Sequence, residues 1–220
     1  MAIARRAAAN ITLGAADVFL IVDVQNDFLP GGALAVPRGD EVVPIINRLA
    51  PSFLNLVQSQ DWHPPRHASF ASSHPGERPF ATIILPYGKQ ILLPDHCVQG
   101  TSGAALAAAL SIQQPDLVLR KGYRQAVDSY SVFIEADGTS TGLAGYLKQA
   151  KIRRVFIAGL ATDFCVAWSA VDARKAEFTA FVIEDACRAI DTNGSLAAAW
   201  AAMRRAGVKR IKSGDIAVPA

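Results

Sequence analysis

What this 220-residue chain lacks narrows it quickly. Its three cysteines, an odd number at wide spacing, cannot make a disulfide framework and point to a reducing compartment. Neither charge dominates: 22 Lys and Arg against 19 Asp and Glu leave +3. The basic residues are scattered apart from pairs such as Arg5-Arg6, Arg153-Arg154 and Arg204-Arg205, which gives no support for nucleic-acid binding. No apolar run approaches the roughly 20 residues needed to cross a bilayer. Residues 1–15 carry two arginines and no acid, but they have no apolar h-region, so they read as a flexible tail rather than a targeting signal. A cytoplasmic protein without a membrane or nucleic-acid partner is the expectation; assembly into a homo-oligomer is left open. Histidine is scarce as well: all four lie between positions 63 and 96.

What is present is a regular alternation of strand and helix signals, with no internal repeat and no linker. Half of the residues are hydrophobic and a fifth are charged, as in a globular protein, and the length suits one domain over 1–220. Val18–Val24 is a nearly continuous apolar run, the mark of a strand buried on both faces. Further strands are expected at Phe53–Ser59, Asp116–Gly122, Arg154–Ala158, Phe178–Glu184 and Val208–Ile211. Helices are expected at Asp40–Leu49, Ser102–Leu110 (alanine-rich), Thr141–Ala150, Val166–Lys175 and Ser195–Arg205. Residues 64–100 have no sustained period and read as one long functional loop. The pattern implies an α/β fold: a doubly wound, mainly parallel six-stranded sheet with helices on both faces.

In such folds the site lies outside the carboxyl ends of the strands, where the strand order reverses. Asp23, Asp61, Lys121 and Cys165 each follow or end an expected strand. Cys165 sits at a strand-to-helix turn beside the candidate caps Thr162 and Asp163, where a helix dipole would favour thiolate. A carboxylate and an ammonium near that thiol would make an activated nucleophile for acyl transfer. Asp61 and His63, two apart, project to one side of an extended backbone. With a further histidine (His67, His74 or His96) they would form an N/O site for zinc, iron or manganese. Each residue alone also has a plainer explanation: Cys165 as packing, Asp23 as a turn cap, Lys121 as a solvated strand end, the histidines as a hydrogen-bonded loop. His96-Cys97 is discounted as a catalytic pair because adjacent side chains diverge in an extended chain.

From about Val18 onward the chain resembles the nicotinamidase/pyrazinamidase branch of the isochorismatase-like cysteine hydrolases. Six stretches carry the resemblance: Asp23-Val-Gln-Asn-Asp-Phe28, Asp61-Trp-His-Pro-Pro-Arg-His67, Pro94-Asp-His-Cys-Val-Gln-Gly-Thr101, Arg120-Lys-Gly122, Asp128-Ser-Tyr-Ser131 and Gly159-Leu-Ala-Thr-Asp-Phe-Cys-Val166. The resemblance implies a catalytic triad of Asp23, Lys121 and Cys165, and an oxyanion hole from the N–H groups of Ala161 and Cys165. It also implies a cis peptide between Leu160 and Ala161. One divalent metal, with zinc ahead of iron or manganese, is implied on Asp61, His63 and His96; His67 matches an extra ligand of some members. Phe28, Leu93, Tyr130 and Phe164 are the implied pocket, and the implied reaction is hydrolysis of nicotinamide or pyrazinamide through a thioester, in NAD salvage.

One departure stands out. The family's nicotinamidases carry Trp where this chain has Leu93, which widens the pocket and removes about 1 kcal/mol of stacking. Hydrolysis of another heteroaromatic or small amide is therefore the alternative expectation. A non-catalytic binding member should have lost part of the triad, and a vinyl-ether hydrolase should lack the cysteine and the Asp-x-His pair. Cys97 and Cys187 are expected in the core.

Overall fold

A computed structural model describes residues 11–112 and 114–217. In chain order the elements are β1 (Asp17–Val22), α1 (Val42–Leu49), β2 (Asn55–Asp61), β3 (Thr82–Leu85), β4 (Gly88–Ile91), β5 (Leu117–Lys121), α2 (Leu143–Gln149), β6 (Arg154–Leu160), α3 (Ala167–Lys175), β7 (Thr179–Arg188), α4 (Ser195–Arg205) and β8 (Lys209–Ile211). Six strands form one sheet in the order β5-β2-β1-β6-β7-β8, and every pair in it is parallel. All six residues of β1 are buried, as a strand covered on both faces requires.

The period of two separates the faces. Phe19, Ile21, Phe156, Phe181 and Ile183 pack under Val42, Ile46 and Leu49 of α1. Val18, Leu20, Val155, Ile157 and Val182 pack on the other side with Leu143 and Leu147 of α2, Ala170 and Ala173 of α3, and Ala199 and Met203 of α4. From β1 the chain runs outward through β2 to β5, then crosses to β6 on the other flank of β1 and continues to β8. Strand order therefore reverses between β1 and β6. Here the backbones come close: Val22 pairs with Gly159, whose φ is +123°, and a Cβ at that position would collide with the Val22 carbonyl.

The structure departs from the expected elements in three places. The alanine-rich stretch Ser102–Leu110 is not a helix. Its carbonyls are taken by the segment after β1: Ser102 O by the Asn26 side chain, Gly103 O by Asp27 N–H, Ala104 O by the Gln25 side chain, and Ala105 O by Asn26 N–H. Tertiary hydrogen bonds thus win over alanine's helix propensity, which is a weak prior. The long loop at 64–100 contains a hairpin of β3 and β4, paired antiparallel and separate from the main sheet. Its β-branched run Thr82-Ile-Ile and the Pro86-Tyr-Gly88 turn were the sequence signals for it.

The third departure is at the amino end. Residues 1–10 of the expected tail lie outside the described residues. Ile11, in contrast, donates to Asp215 O at 2.7 Å and accepts from Ala217 N–H at 3.0 Å, so the chain is tied down before residue 15.

Candidate active site

Four neighbouring strands, β5, β2, β1 and β6, deliver their carboxyl ends to one place. Lys121 ends β5 opposite Asp61, which ends β2; Asp23 follows β1 with φ +49°; Cys165 lies in the turn after β6. Lys121 is the hub. Its Nζ lies 2.9 Å from Asp23 Oδ2, 2.7 Å from Asp61 Oδ1 and 3.3 Å from Cys165 Sγ, and it donates to the Ser129 carbonyl at 3.0 Å. Burial works against this ammonium, but the charges of Asp23 and Asp61 outweigh it and hold the group protonated, well above its ordinary pKa.

Asp23 is fully buried. Its Oδ1 accepts the Ser59 hydroxyl at 2.6 Å, whereas Oδ2, although it faces Nζ, accepts no aligned hydrogen bond among the described residues. Burial raises its pKa, Lys121 opposes that, and Asp61 adds to it. The result is a carboxylate with a spare lone pair and raised basicity, within 4.8 Å of Cys165 Sγ.

The thiol differs from the sequence expectation. Cys165 belongs to a wide turn, Thr162–Val166, and α3 begins only at Ala167. Neither Thr162 nor Asp163 caps it. Burial pushes the Cys165 thiol well above the ordinary range; Lys121 opposes this, but Asp23 and Asp61 reinforce it. Desolvation and the two carboxylates together outweigh Lys121, and the resting group is a thiol that needs a base. The Leu160–Ala161 peptide is cis, as the resemblance implied, and the Ala161 carbonyl accepts from Phe164 N–H (3.1 Å) and Val166 N–H (3.2 Å).

Asp61 turns its second oxygen to two histidines. Oδ2 lies 3.2 Å from His63 Nε2 and 3.5 Å from His96 Nε2, all three residues being buried. The other ring nitrogens are committed: His63 Nδ1 bonds the Gly122 carbonyl at 2.9 Å and His96 Nδ1 the Pro94 carbonyl at 2.8 Å. A carbonyl can only accept, so both Nδ1 atoms carry protons and each Nε2 is left facing Asp61 Oδ2. Burial lowers the His63 pKa, but Asp61 outweighs it and raises it, so the trio favours positive charge at its centre, and a metal ion there would take Oδ2 and both Nε2 atoms as ligands. The buried carboxylates of Asp23 and Asp61 share the Lys121 ammonium, so the site favours a further positive charge. The residues present fit such an ion.

His67 joins a different group, with His63 and Asp128. Its Nδ1 bonds Ser69 Oγ at 2.7 Å and its Nε2 the Val127 carbonyl at 3.2 Å, so neither nitrogen is turned to the Asp61 trio. Burial and the charge of His63 lower its pKa to about 4, which keeps the ring neutral. His74 bonds the Ala68 carbonyl and is also outside the trio.

A cavity opens over Cys165. Phe28, Leu93, Tyr130 and Phe164, the four expected pocket residues, all line it, with Ala161, Asp61, His63 and His96. Phe28 lies against His96, with ring centroids 5.6 Å apart, and Tyr130 against Phe164 at the same separation. Leu93 stands buried on the wall, held by hydrogen bonds on both sides: Leu93 N–H to Ser69 O and Ala71 N–H to Leu93 O. Sequence reasoning missed Leu34, Asp128 and Ile190 on the wall, and it missed Ser59 and Ser129 as the partners of Asp23 and Lys121. For Asp128 and Ser129 the signal was present, since they sit in a matching stretch; for Ile190 there was none. Cys97 and Cys187 are buried and free, with the Cys187 thiol pushed up to about 12 by burial.

The chain matches a family described as the isochorismatase domain over residues 17–215. A nicotinamidase from Acinetobacter baylyi is 56% identical over 200 residues, covering 90% of this chain and 94% of that one. An Acinetobacter baumannii nicotinamidase/pyrazinamidase structure superposes with a TM-score of 0.91 at 53% identity, covering 92% of this chain and 98% of the other. A structure of PnC1 from L. infantum in complex with nicotinate superposes with a TM-score of 0.84 at 40% identity, covering 96% of this chain and 100% of the other. The Pyrococcus horikoshii pyrazinamidase structure in complex with zinc superposes at 0.74 with 31% identity, over 90% and 99%.

Proposed function

This chain belongs to the isochorismatase-domain family, and on that premise we propose that it hydrolyses nicotinamide, and its analogue pyrazinamide, to the free acid and ammonia. The observation that carries the reading is the single buried ammonium of Lys121, within 3.3 Å of a carboxylate base, a metal-type carboxylate and a thiol. That constellation serves acyl transfer to sulfur, and with nicotinamide as substrate the product, nicotinate, would enter NAD salvage.

Asp23 Oδ2 takes the proton of Cys165, whose sulfur attacks the amide carbon and forms the C–S bond. Lys121, near both groups, offsets the negative charge as it moves from the carboxylate to sulfur. The carbonyl oxygen becomes an oxyanion held by the N–H groups of Ala161 and Cys165; each such donor contributes on the order of 3 kcal/mol. Asp23 returns its proton to nitrogen as the C–N bond breaks and ammonia leaves. Water, deprotonated by Asp23, then attacks the thioester; the acid departs and the thiol is restored. Asp61, His63 and His96 would hold a divalent ion, zinc before iron or manganese, which supplies a Lewis-acid anchor for the ring nitrogen. Phe28 packs against the ring and Phe164 and Tyr130 close the wall.

The test is ammonia release from nicotinamide by purified protein, with Cys165→Ala as the control. Turnover in the wild type and none in a folded Cys165→Ala protein is expected; equal turnover in both contradicts the reading. Leu93 favours a second possibility, a different heteroaromatic or small amide as best substrate. A panel of amides ranked by kcat/KM separates the two.

A further inference from the structure

Asp163 stands two residues before Cys165 in the same turn, and its carboxylate reaches away from the helix that follows. Oδ1 accepts Ile190 N–H at 3.1 Å; Oδ2 accepts Asp191 N–H at 2.8 Å and the Ser195 hydroxyl at 2.5 Å. Ile190 and Asp191 belong to the connection between β7 and α4, and Ser195 is the first residue of α4. Residues 189–194 in that connection form neither strand nor helix, and Asp191 and Asn193 hold positive φ values of +54° and +53°. Aspartate and asparagine tolerate such conformations better than other side chains, so the path of the connection is open to being fixed by its contacts. The same connection supplies Ile190 to the cavity wall, which Phe164 also lines.

We propose that Asp163 is a positioning residue for substrate selection: by fastening the β7–α4 connection to the Cys165 turn, it sets how far Ile190 projects into the cavity relative to the nucleophile. The proposal rests on the amidase reading above, because hydrolysis is the reaction by which the cavity is gauged. A carboxylate suits the task because it only accepts, and all three groups facing it donate. Asparagine keeps one acceptor oxygen and turns an N–H2 group against the remaining donors, so Asp163→Asn releases the connection without altering the cavity surface itself.

The experiment compares the wild type, Asp163→Asn, Ile190→Ala and the double variant. It measures kcat/KM for nicotinamide and for nicotinamide bearing an extra ring methyl, together with hydrogen exchange over residues 190–195. Each single substitution is expected to raise the methylated-to-plain preference about tenfold, and the double variant no further than the larger single, because both act through one side chain. In Asp163→Asn the change should fall on KM rather than kcat, and the Ile190 and Asp191 amides should exchange faster. Effects that multiply in the double variant, an equal loss on both substrates, or unchanged exchange at Ile190 overturn the proposal. If Asp163→Asn does not fold, Ser195→Ala removes one of the three donors and should move preference and exchange the same way by less; no movement overturns it. A wild type inert toward nicotinamide defeats the amidase reading, whereas the exchange data report on the positioning independently.

Discussion

Lys121 decides what the charged residues around it can do. Alone, a buried ammonium would shed its proton; between Asp23 and Asp61 it keeps it, and Asp23 Oδ2 is left without an aligned hydrogen bond among the described residues, near a thiol that burial keeps protonated. Asp23→Asn should therefore lower kcat by about 10²–10⁴ with little change in thermal unfolding, read from steady-state ammonia release. The pH dependence follows from the direction of the Asp23 shift. Burial raises its pKa from 3.8, and only the ionised form accepts the thiol proton, so activity is present above that raised value and lost as pH falls through it. The acid limb of kcat/KM should lie above 3.8; a limb at or below it contradicts this role. Gly122 is the other decisive single residue. With φ +64°, a Cβ there would stand 2.5 Å from His63 Cε1 and 2.7 Å from Nδ1. Gly122→Ala should displace His63 and weaken zinc binding about 10–100-fold, measured by competition with a chromogenic chelator.

At the scale of elements, the segment after β1 does work that strands usually do. Gln25 acts as a surrogate strand partner: its side chain donates to Asp61 O and Ala104 O at 2.8 Å each and accepts Asp61 N–H at 2.7 Å. It thereby locks the backbone of a metal-type ligand to the stretch that alanine content marked as helical. Ala104 O keeps Gln60 Nε2, so Gln25→Leu takes a partner from Asp61 N–H and Asp61 O; at about 1–3 kcal/mol per group, urea melts should show a loss of roughly 2–6 kcal/mol. An unchanged midpoint would show that water replaces the amide. The misread of Ser102–Leu110 has the same cause. Local propensity is visible in a sequence, whereas a competing acceptor demand from residues 25–27 exists only after β1 and β2 have paired. The long irregular run at 64–100 hid its hairpin for a related reason: β3 and β4 satisfy each other and leave side chains half exposed, so no strong periodicity marks them.

Across the whole molecule, the site joins strands from both halves of the chain. β1, β2 and β5 bring Asp23, Asp61 and Lys121; β6 brings Cys165 from the other side of the reversal point. Two carboxylates share one ammonium at that junction, and a bound divalent ion would supply the further positive charge they favour. Prolonged treatment with a strong chelator should lower Tm, and zinc should restore it. At zinc a hundredfold above its Kd, the linkage is about 2.7 kcal/mol. That corresponds to about 2–4 °C per kcal/mol for a chain of this size. A Tm indifferent to chelator and zinc contradicts metal binding at this junction.

The alternation of apolar strands and amphipathic helices was enough, by itself, to determine the parallel six-stranded sheet, because a buried parallel strand must be apolar on both faces and its crossover must carry a helix. The four chemically capable strand ends and the stretches around Asp23, His63, His96 and Cys165 were equally legible, since those side chains sit at fixed offsets from runs that end strands. What only the tertiary structure decided is how these groups act on one another. Charge states such as that of Cys165 depend on desolvation and on neighbours distant in sequence. The tautomers of His63 and His96 depend on which carbonyls meet their rings, and the places of Ser59, Asp128 and Ile190 on packing between segments that carry no local signal. A sequence orders residues along a line; electrostatics and hydrogen bonding act across space, and that distance is set only when the sheet has formed.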